Sequence, residues 1–196
     1  MGHDDNLVGR ELERRARVIM PGEWAVEHER PIATLLGSCV AVALYDPALK
    51  LGGLNHFMLP YFSRSAGRSE VDALLAGDYA MEALLNAMLS RGAKKDRLVA
   101  KAFGGGMVIS SLDQSQIGQR NVEFTREWLA REGISLRASD FLGQWSRKVV
   151  LDPRTGDVFC KRAASTLAIS QRIESREQAY ARRLAASKAQ DNIELF

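Results

Sequence analysis

Along the first third of the chain, apolar residues come in short blocks bounded by turn formers. Val18-Ile19-Met20, then Pro21-Gly22, then Trp24-Ala25-Val26 predicts a strand, a turn and a strand. Residues 32–45 form a longer apolar strand broken near Gly37, Asp46-Pro47 opens a turn, and residues 52–59 make the next strand, stopped by Pro60. A polar loop over 61–68 follows. The period then changes. Val71, Leu74, Leu75, Met81, Leu84, Leu85, Met88 and Leu89 recur at helical spacing and predict an amphipathic helix over 69–91, with Ser69 as N-cap and Gly92 just past its end. Residues 98–103 read as a strand ended by Gly104-Gly105-Gly106. Residues 119–132 read as a helix with Val122, Trp128 and Leu129 inward and Gly133 stopping it. Strands follow at 134–139 and 147–152, and 157–162 returns as a hairpin across the Asp152-Pro153-Arg154-Thr155-Gly156 turn.

Many strands with two helices, not in strict alternation, predict an α+β layered sandwich. Beyond it the pattern thins. Leu167, Ile169, Ile173, Tyr180 and Leu184 are sparse among Arg, Glu, Gln, Ser and Ala, which predicts a C-terminal helical appendage. Three segments are therefore expected: a flexible N-terminal arm over 1–16, a folded domain over 17–162, and a helical extension and tail over 163–196. The tail ends in the acidic–apolar run Asp191-Asn192-Ile193-Glu194-Leu195-Phe196, which suits docking on the body or binding a partner.

The totals narrow the class. A length of 196 residues and an apolar fraction of 46% are enough for a real core. No apolar run is long enough to span a bilayer and the start lacks a secretory signal pattern, so a cytoplasmic location is expected, without membrane insertion. The net charge of +3 comes without an aromatic-interleaved basic stripe, which argues against nucleic-acid binding. The two cysteines, Cys39 and Cys160, make no disulfide framework, and His3, His28 and His56 have no zinc-ligand spacing.

The chemistry centres on Cys39. Gly37-Ser38 interrupts an apolar strand and delivers one thiol, and His56 lies on the strand that follows. A histidine within reach takes the thiol proton and gives a thiolate–imidazolium pair competent to attack a carbonyl. Gly37 lets the chain leave strand geometry, and N–H groups exposed at the Gly37-Ser38 bend could hold a developing oxyanion. The plainer reading is a small core cysteine and a satisfied core histidine; their pairing beside a Gly-Ser bend brings catalysis level with it. Gly104-Gly105-Gly106 lacks the Lys-Ser/Thr of a phosphate loop and reads as a close-packing turn. Gln119-Arg120-Asn121 reads as helix N-terminal polarity, with recognition of a partner helix as the alternative, and Cys160 as structural.

Leu36-Gly37-Ser38-Cys39-Val40-Ala41-Val42, Tyr45-Asp46-Pro47 and Gly53-Leu54-Asn55-His56-Phe57-Met58-Leu59-Pro60 closely resemble the CheD family, the chemoreceptor glutamine deamidases of bacterial chemotaxis. The likeness continues through Lys101 to Gly106, Ile117 to Val122 and Arg147 to Val150, and covers roughly residues 17–162 in order. The resemblance implies an α/β layered sandwich similar to the cytotoxic necrotizing factor deamidases. It implies hydrolysis of glutamine side-chain amides on methyl-accepting chemotaxis receptors to glutamate and ammonia, with no metal or organic cofactor.

It also implies a location at chemoreceptor arrays, a helical receptor bundle as substrate, and a CheC-type phosphatase as a further partner of some members. Cys39 would be the nucleophile, His56 the base, Gly37 and Ser38 the oxyanion or turn support, and a threonine the group that orients His56. Some members of the family carry that threonine one position before Thr34, where this chain has Ala33. One residue along a strand reverses the face, unless a bulge near Gly37 restores it. Thr34 is the expected orienting residue. The alternative function is a non-catalytic adaptor that binds receptor or CheC with the same fold.

Overall fold

A computed structural model describes residues 2–59, 70–107, 112–164 and 167–187. Among the described residues, nine strands and four α-helices follow the order α1 (Gly2–Arg15), β1 (Arg17–Val18), β2 (Trp24–Glu27), β3 (Ile32–Leu36), β4 (Val40–Asp46), β5 (Leu51–Asn55), α2 (Glu70–Leu89), β6 (Val99–Gly104), α3 (Leu112–Arg131), β7 (Ser135–Phe141), β8 (Trp145–Asp152), β9 (Asp157–Ala164) and α4 (Leu167–Ser187). The expected cap Ser69, the loop 61–68 and the tail 191–196 lie outside the described residues.

The strands form two sheets, one ordered β1-β3-β8-β9 and the other β2-β5-β4-β6-β7. Strand β4 shows why they stack. Val40, Val42 and Leu44 face α2 and α3, with Met81, Leu84, Met88, Phe124 and Trp128 in the same cluster. Ala41 and Ala43 face the other sheet, with Ile32, Leu36, Val149 and Leu151. A strand buried on both faces is apolar at successive positions instead of alternating, which is how β4 reads. Outside the four-stranded sheet lies α1, through Leu12 against Ala33 and Val150. The layers are thus α1, sheet, sheet, and α2 with α3: a mixed α+β sandwich.

Residues 1–16 were expected to be a flexible arm, yet residues 2–15 are helix α1. A lone helix of this length is marginal in water. Burial of Leu12 to 2% exposure supplies the tertiary anchor, and truncating such a leucine to alanine costs about 2–5 kcal/mol. Helix α3 begins at Leu112, earlier than the expected 119. The strand expected over 52–59 ends at Asn55, after which Phe57 makes an isolated bridge to Val40.

One connection matters most for the site. Strand β3 belongs to the first sheet and β4 to the second, so the bend Gly37-Ser38-Cys39 is where the chain crosses between sheets. Glycines hold this bend closely. Gly105 N donates to the Cys39 carbonyl at 2.8 Å and Gly106 N to the Gly37 carbonyl at 2.7 Å. Gly104 has φ +127°, and a Cβ there would collide with the Cys39 carbonyl oxygen. The glycine run is a close-packing turn on the cysteine bend.

Candidate active site

Cys39, on the crossover bend, has no exposed surface. The bridge between Val40 and Phe57 sets Ala41 opposite His56 and Cys39 opposite Met58, so Cys39 and His56 lie diagonally on the face toward the other sheet. Diagonal Cβ neighbours of this kind are roughly 7–8 Å apart at most, within reach of a ring and a thiol that turn toward each other.

Thr34 faces the same interlayer. Ile32 and Leu36, two positions either side on β3, pack into the inter-sheet core, while Ala33 points the other way, into the cluster with Leu12 of α1. Strand β3 pairs without a bulge against β8 from Ile32 to Leu36. The face therefore belongs to Thr34 and not to Ala33. Its Oγ1 lies 2.7 Å from His56 Nδ1 and donates to the Ile19 carbonyl at 2.9 Å. A hydroxyl has one proton. With that proton on Ile19, Oγ1 accepts from His56 Nδ1–H, and the neutral ring keeps its lone pair on Nε2. That Nε2 is buried and has no hydrogen-bond partner among the described residues.

Burial, and then the charge of Arg176, push the His56 pKa down to about 3. Burial, followed by the negative charge of Glu177 and a hydrogen bond to it, pushes the Cys39 thiol well up. Both groups are neutral in this state, so the expected thiolate–imidazolium pair is not its resting form. Desolvation penalises both charges at once, and Glu177 adds a third that repels the thiolate.

Ser38 and Cys39 turn their N–H groups toward one point. Ser38 N donates to Glu177 Oε1 at 2.9 Å, Cys39 N donates to the same oxygen at 3.3 Å, and Ser38 Oγ donates to Oε2 at 2.6 Å. Gly37 supplies the carbonyl that the glycine turn holds. The bend is also clamped from α3. Asn121, with no exposed surface, donates from Nδ2 to the Ser38 carbonyl at 2.8 Å and accepts the Leu59 N–H at 2.7 Å. It ties the cysteine bend to the segment just after His56, a role beyond the helix-end polarity expected of Gln119-Arg120-Asn121. Further out, buried Arg147 pairs with Asp140 at 3.1 Å, and Asp140 also takes Arg162 at 2.8 Å. Gly106 is packed between the Arg147 guanidinium and the Gly37 carbonyl. Cys160 is half-buried near Asp140, its pKa pushed up to about 12 mainly by burial.

Glu177 has no nucleophile or base motif around it in the sequence. A different signal was present. Ile173, Glu177 and Tyr180 share one helix face, so an acid interrupts an otherwise apolar stripe. Among the described residues no three His, Cys, Asp or Glu side chains gather as metal ligands, and no helix is long and apolar enough to cross a membrane.

A buried cysteine, a histidine held at Nδ1 by a threonine, and two converging N–H groups on a two-sheet sandwich are the parts that thiol–imidazole acyl transfer requires. The family described as CheD chemotactic sensory transduction matches residues 58–162. The chain is 58% identical over 193 residues to a probable chemoreceptor glutamine deamidase CheD 2 of Dechloromonas aromatica, covering 97% of this chain and 98% of that protein. It is 43% identical to a probable chemoreceptor glutamine deamidase CheD 2 of Burkholderia thailandensis, covering 95% and 96%. It is 41% identical to a probable chemoreceptor glutamine deamidase CheD 1 of Shewanella oneidensis, covering 95% and 90%. The chain belongs to the CheD family.

Proposed function

We propose that this protein is a chemoreceptor glutamine deamidase, converting receptor glutamines to glutamate and ammonia. The observation that carries the reading is the Thr34–His56 hydrogen bond. It leaves a bare Nε2 on the face that holds Cys39, in a chain nearly coextensive with relatives named for this activity.

In the proposed sequence the Cys39 proton passes to His56 Nε2 as Sγ adds to the glutamine Cδ. The carbonyl oxygen becomes an oxyanion, held by the Ser38 and Cys39 N–H groups. The adduct collapses, the C–N bond breaks, and Nε2–H gives its proton to the departing ammonia. A water then attacks the thioester, its proton goes to Nε2, and collapse returns glutamate and the Cys39 thiol. Throughout, Thr34 holds the ring by Nδ1. Methyl-accepting receptors of the helical-bundle type are the substrates, at their arrays in the cytoplasm, and a CheC-type phosphatase is a further partner. The sandwich is read as related to that of the cytotoxic necrotizing factor deamidases.

The test is mass spectrometry of a receptor cytoplasmic fragment after incubation, with ammonia measured in parallel. Wild type should convert specific glutamines and Cys39→Ala should convert none. No conversion by wild type would leave the adaptor reading, and equal conversion by both would refute Cys39 as the nucleophile.

A further inference from the structure

Helix α4 buries a carboxylate where an amphipathic helix should bury an apolar side chain. Ile173, Glu177 and Tyr180 are the buried residues described along its inward face, and Glu177 is only 6% exposed. A buried carboxylate is costly unless donors surround it. Here the donors are Ser38 N, Cys39 N and Ser38 Oγ. These are the groups assigned above to the oxyanion of the deamidation adduct. The thiol itself faces the same carboxylate, which raises its pKa both by charge and by a hydrogen bond.

The flanking residues complete a helix seat. Tyr180 joins the inter-sheet core and lies on Gly22, where any Cβ would strike its ring. Gly22 N in turn donates to the His56 carbonyl at 2.7 Å. Arg183 Nη2 donates to the Pro21 carbonyl at 2.9 Å. A glutamate side chain is what glutamine becomes in the proposed reaction, and here it is presented from a helix.

We infer that α4 is a surrogate substrate: it occupies the groove that receives the receptor helix, with Glu177 in the subsite of the target carboxamide, and it must leave for receptor to enter. The inference rests on the deamidase reading. It also gives that groove a specificity. The receptor helix it fits carries an apolar residue four positions before the target glutamine and an aromatic or large apolar residue three positions after it, matching Ile173 and Tyr180 about Glu177. Withdrawal of α4 removes both Glu177 from the thiol and Arg176 from the imidazole, which eases formation of the charged pair.

The test uses the full chain as wild type, Glu177→Ala and Glu177→Gln, the last also with Cys39→Ala. Alkylation of Cys39, resolved from Cys160 by peptide mass, should be about tenfold faster or more in Glu177→Ala, which loses three hydrogen bonds to the bend. Its KM for the receptor fragment should fall with kcat little changed. Glu177→Gln keeps the shape of the helix and places a glutamine in the subsite. Its own residue 177 should be recovered as glutamate, at a rate independent of protein concentration, and should stay glutamine when Cys39 is alanine.

Wild-type alkylation rates in Glu177→Ala would overturn the inference, since the helix would not then close the site. So would a Glu177→Gln preparation that deamidates receptor while its own introduced glutamine stays unconverted. If Glu177→Ala alkylates faster but no variant deamidates receptor or itself, the deamidase reading fails first and the surrogate with it.

Discussion

Thr34→Val tests the orienting contact with little change of shape. Valine replaces the hydroxyl by a methyl, so no sizeable cavity opens, but two buried groups lose their partner: His56 Nδ1–H and the Ile19 carbonyl. A buried group left unpaired costs about 1–3 kcal/mol. The part that bears on catalysis is the freedom the imidazole gains. It can rotate, or move its proton to Nε2, and a ring protonated at Nε2 cannot take the thiol proton. At about 1.4 kcal/mol per factor of ten, loss of one such contact predicts a fall in kcat of about 10–100-fold. KM should hold, because the Thr34 hydroxyl is buried and engaged with His56 and the Ile19 carbonyl. Thr34→Ser restores the oxygen and should recover most of the rate. The assay is initial-rate ammonia release with a receptor fragment, alongside a thermal melt of each variant. A folded Thr34→Val protein with the wild-type kcat would refute the assignment of Thr34 as the residue that positions the base.

Other consequences can be measured without substrate. His56 has a folded pKa of about 3 against an ordinary 6.5, so its contribution to stability is full above pH 6.5 and is lost as pH falls toward 3. At pH 5 this loss is about 2 kcal/mol. Denaturant titrations at pH 7 and pH 5 should show it in wild type and not in His56→Gln. Glu177 acts in the opposite sense: burial raises its pKa, so its contribution is present at low pH and lost as pH rises through the folded value. Glu177→Ala should therefore steepen the acid loss. Asn121→Leu strips partners from the Ser38 carbonyl and the Leu59 N–H, and should lower Tm by roughly 5–15 °C. Gly104→Ala should yield little folded protein by near-UV circular dichroism, since the added methyl meets backbone and not a movable side chain.

The period change at residue 70, the broken strand over 32–45 and the hairpin at Thr155-Gly156 were legible because each depends on neighbours in sequence. The face of Thr34 was legible in principle from the alternation of Ile32, Thr34 and Leu36. The pattern of some family members pointed at Ala33, and the continuous pairing of β3 with β8 decides between them. Helix α1 was not legible, because a polar segment with one key leucine looks the same whether frayed or docked. Asn121 and Glu177 were hidden for a related reason. A polar residue on a helix is ordinarily solvated, and nothing local shows that Ser38, far away in sequence, will bury it.

The hydrogen bond from His56 to Thr34 joins the residue just past the end of β5, in one sheet, to a residue of β3 in the other, and the thiol sits on the bend that carries the chain from β3 to β4. The reactive alignment is therefore a strut across the seam of the sandwich. A slip of the sheets by a fraction of a bond length would part the ring from its hydroxyl while both cores stayed buried. Catalytic competence should thus be lost by shear before secondary structure melts, so on heating, activity would register slippage at the seam that circular dichroism does not see.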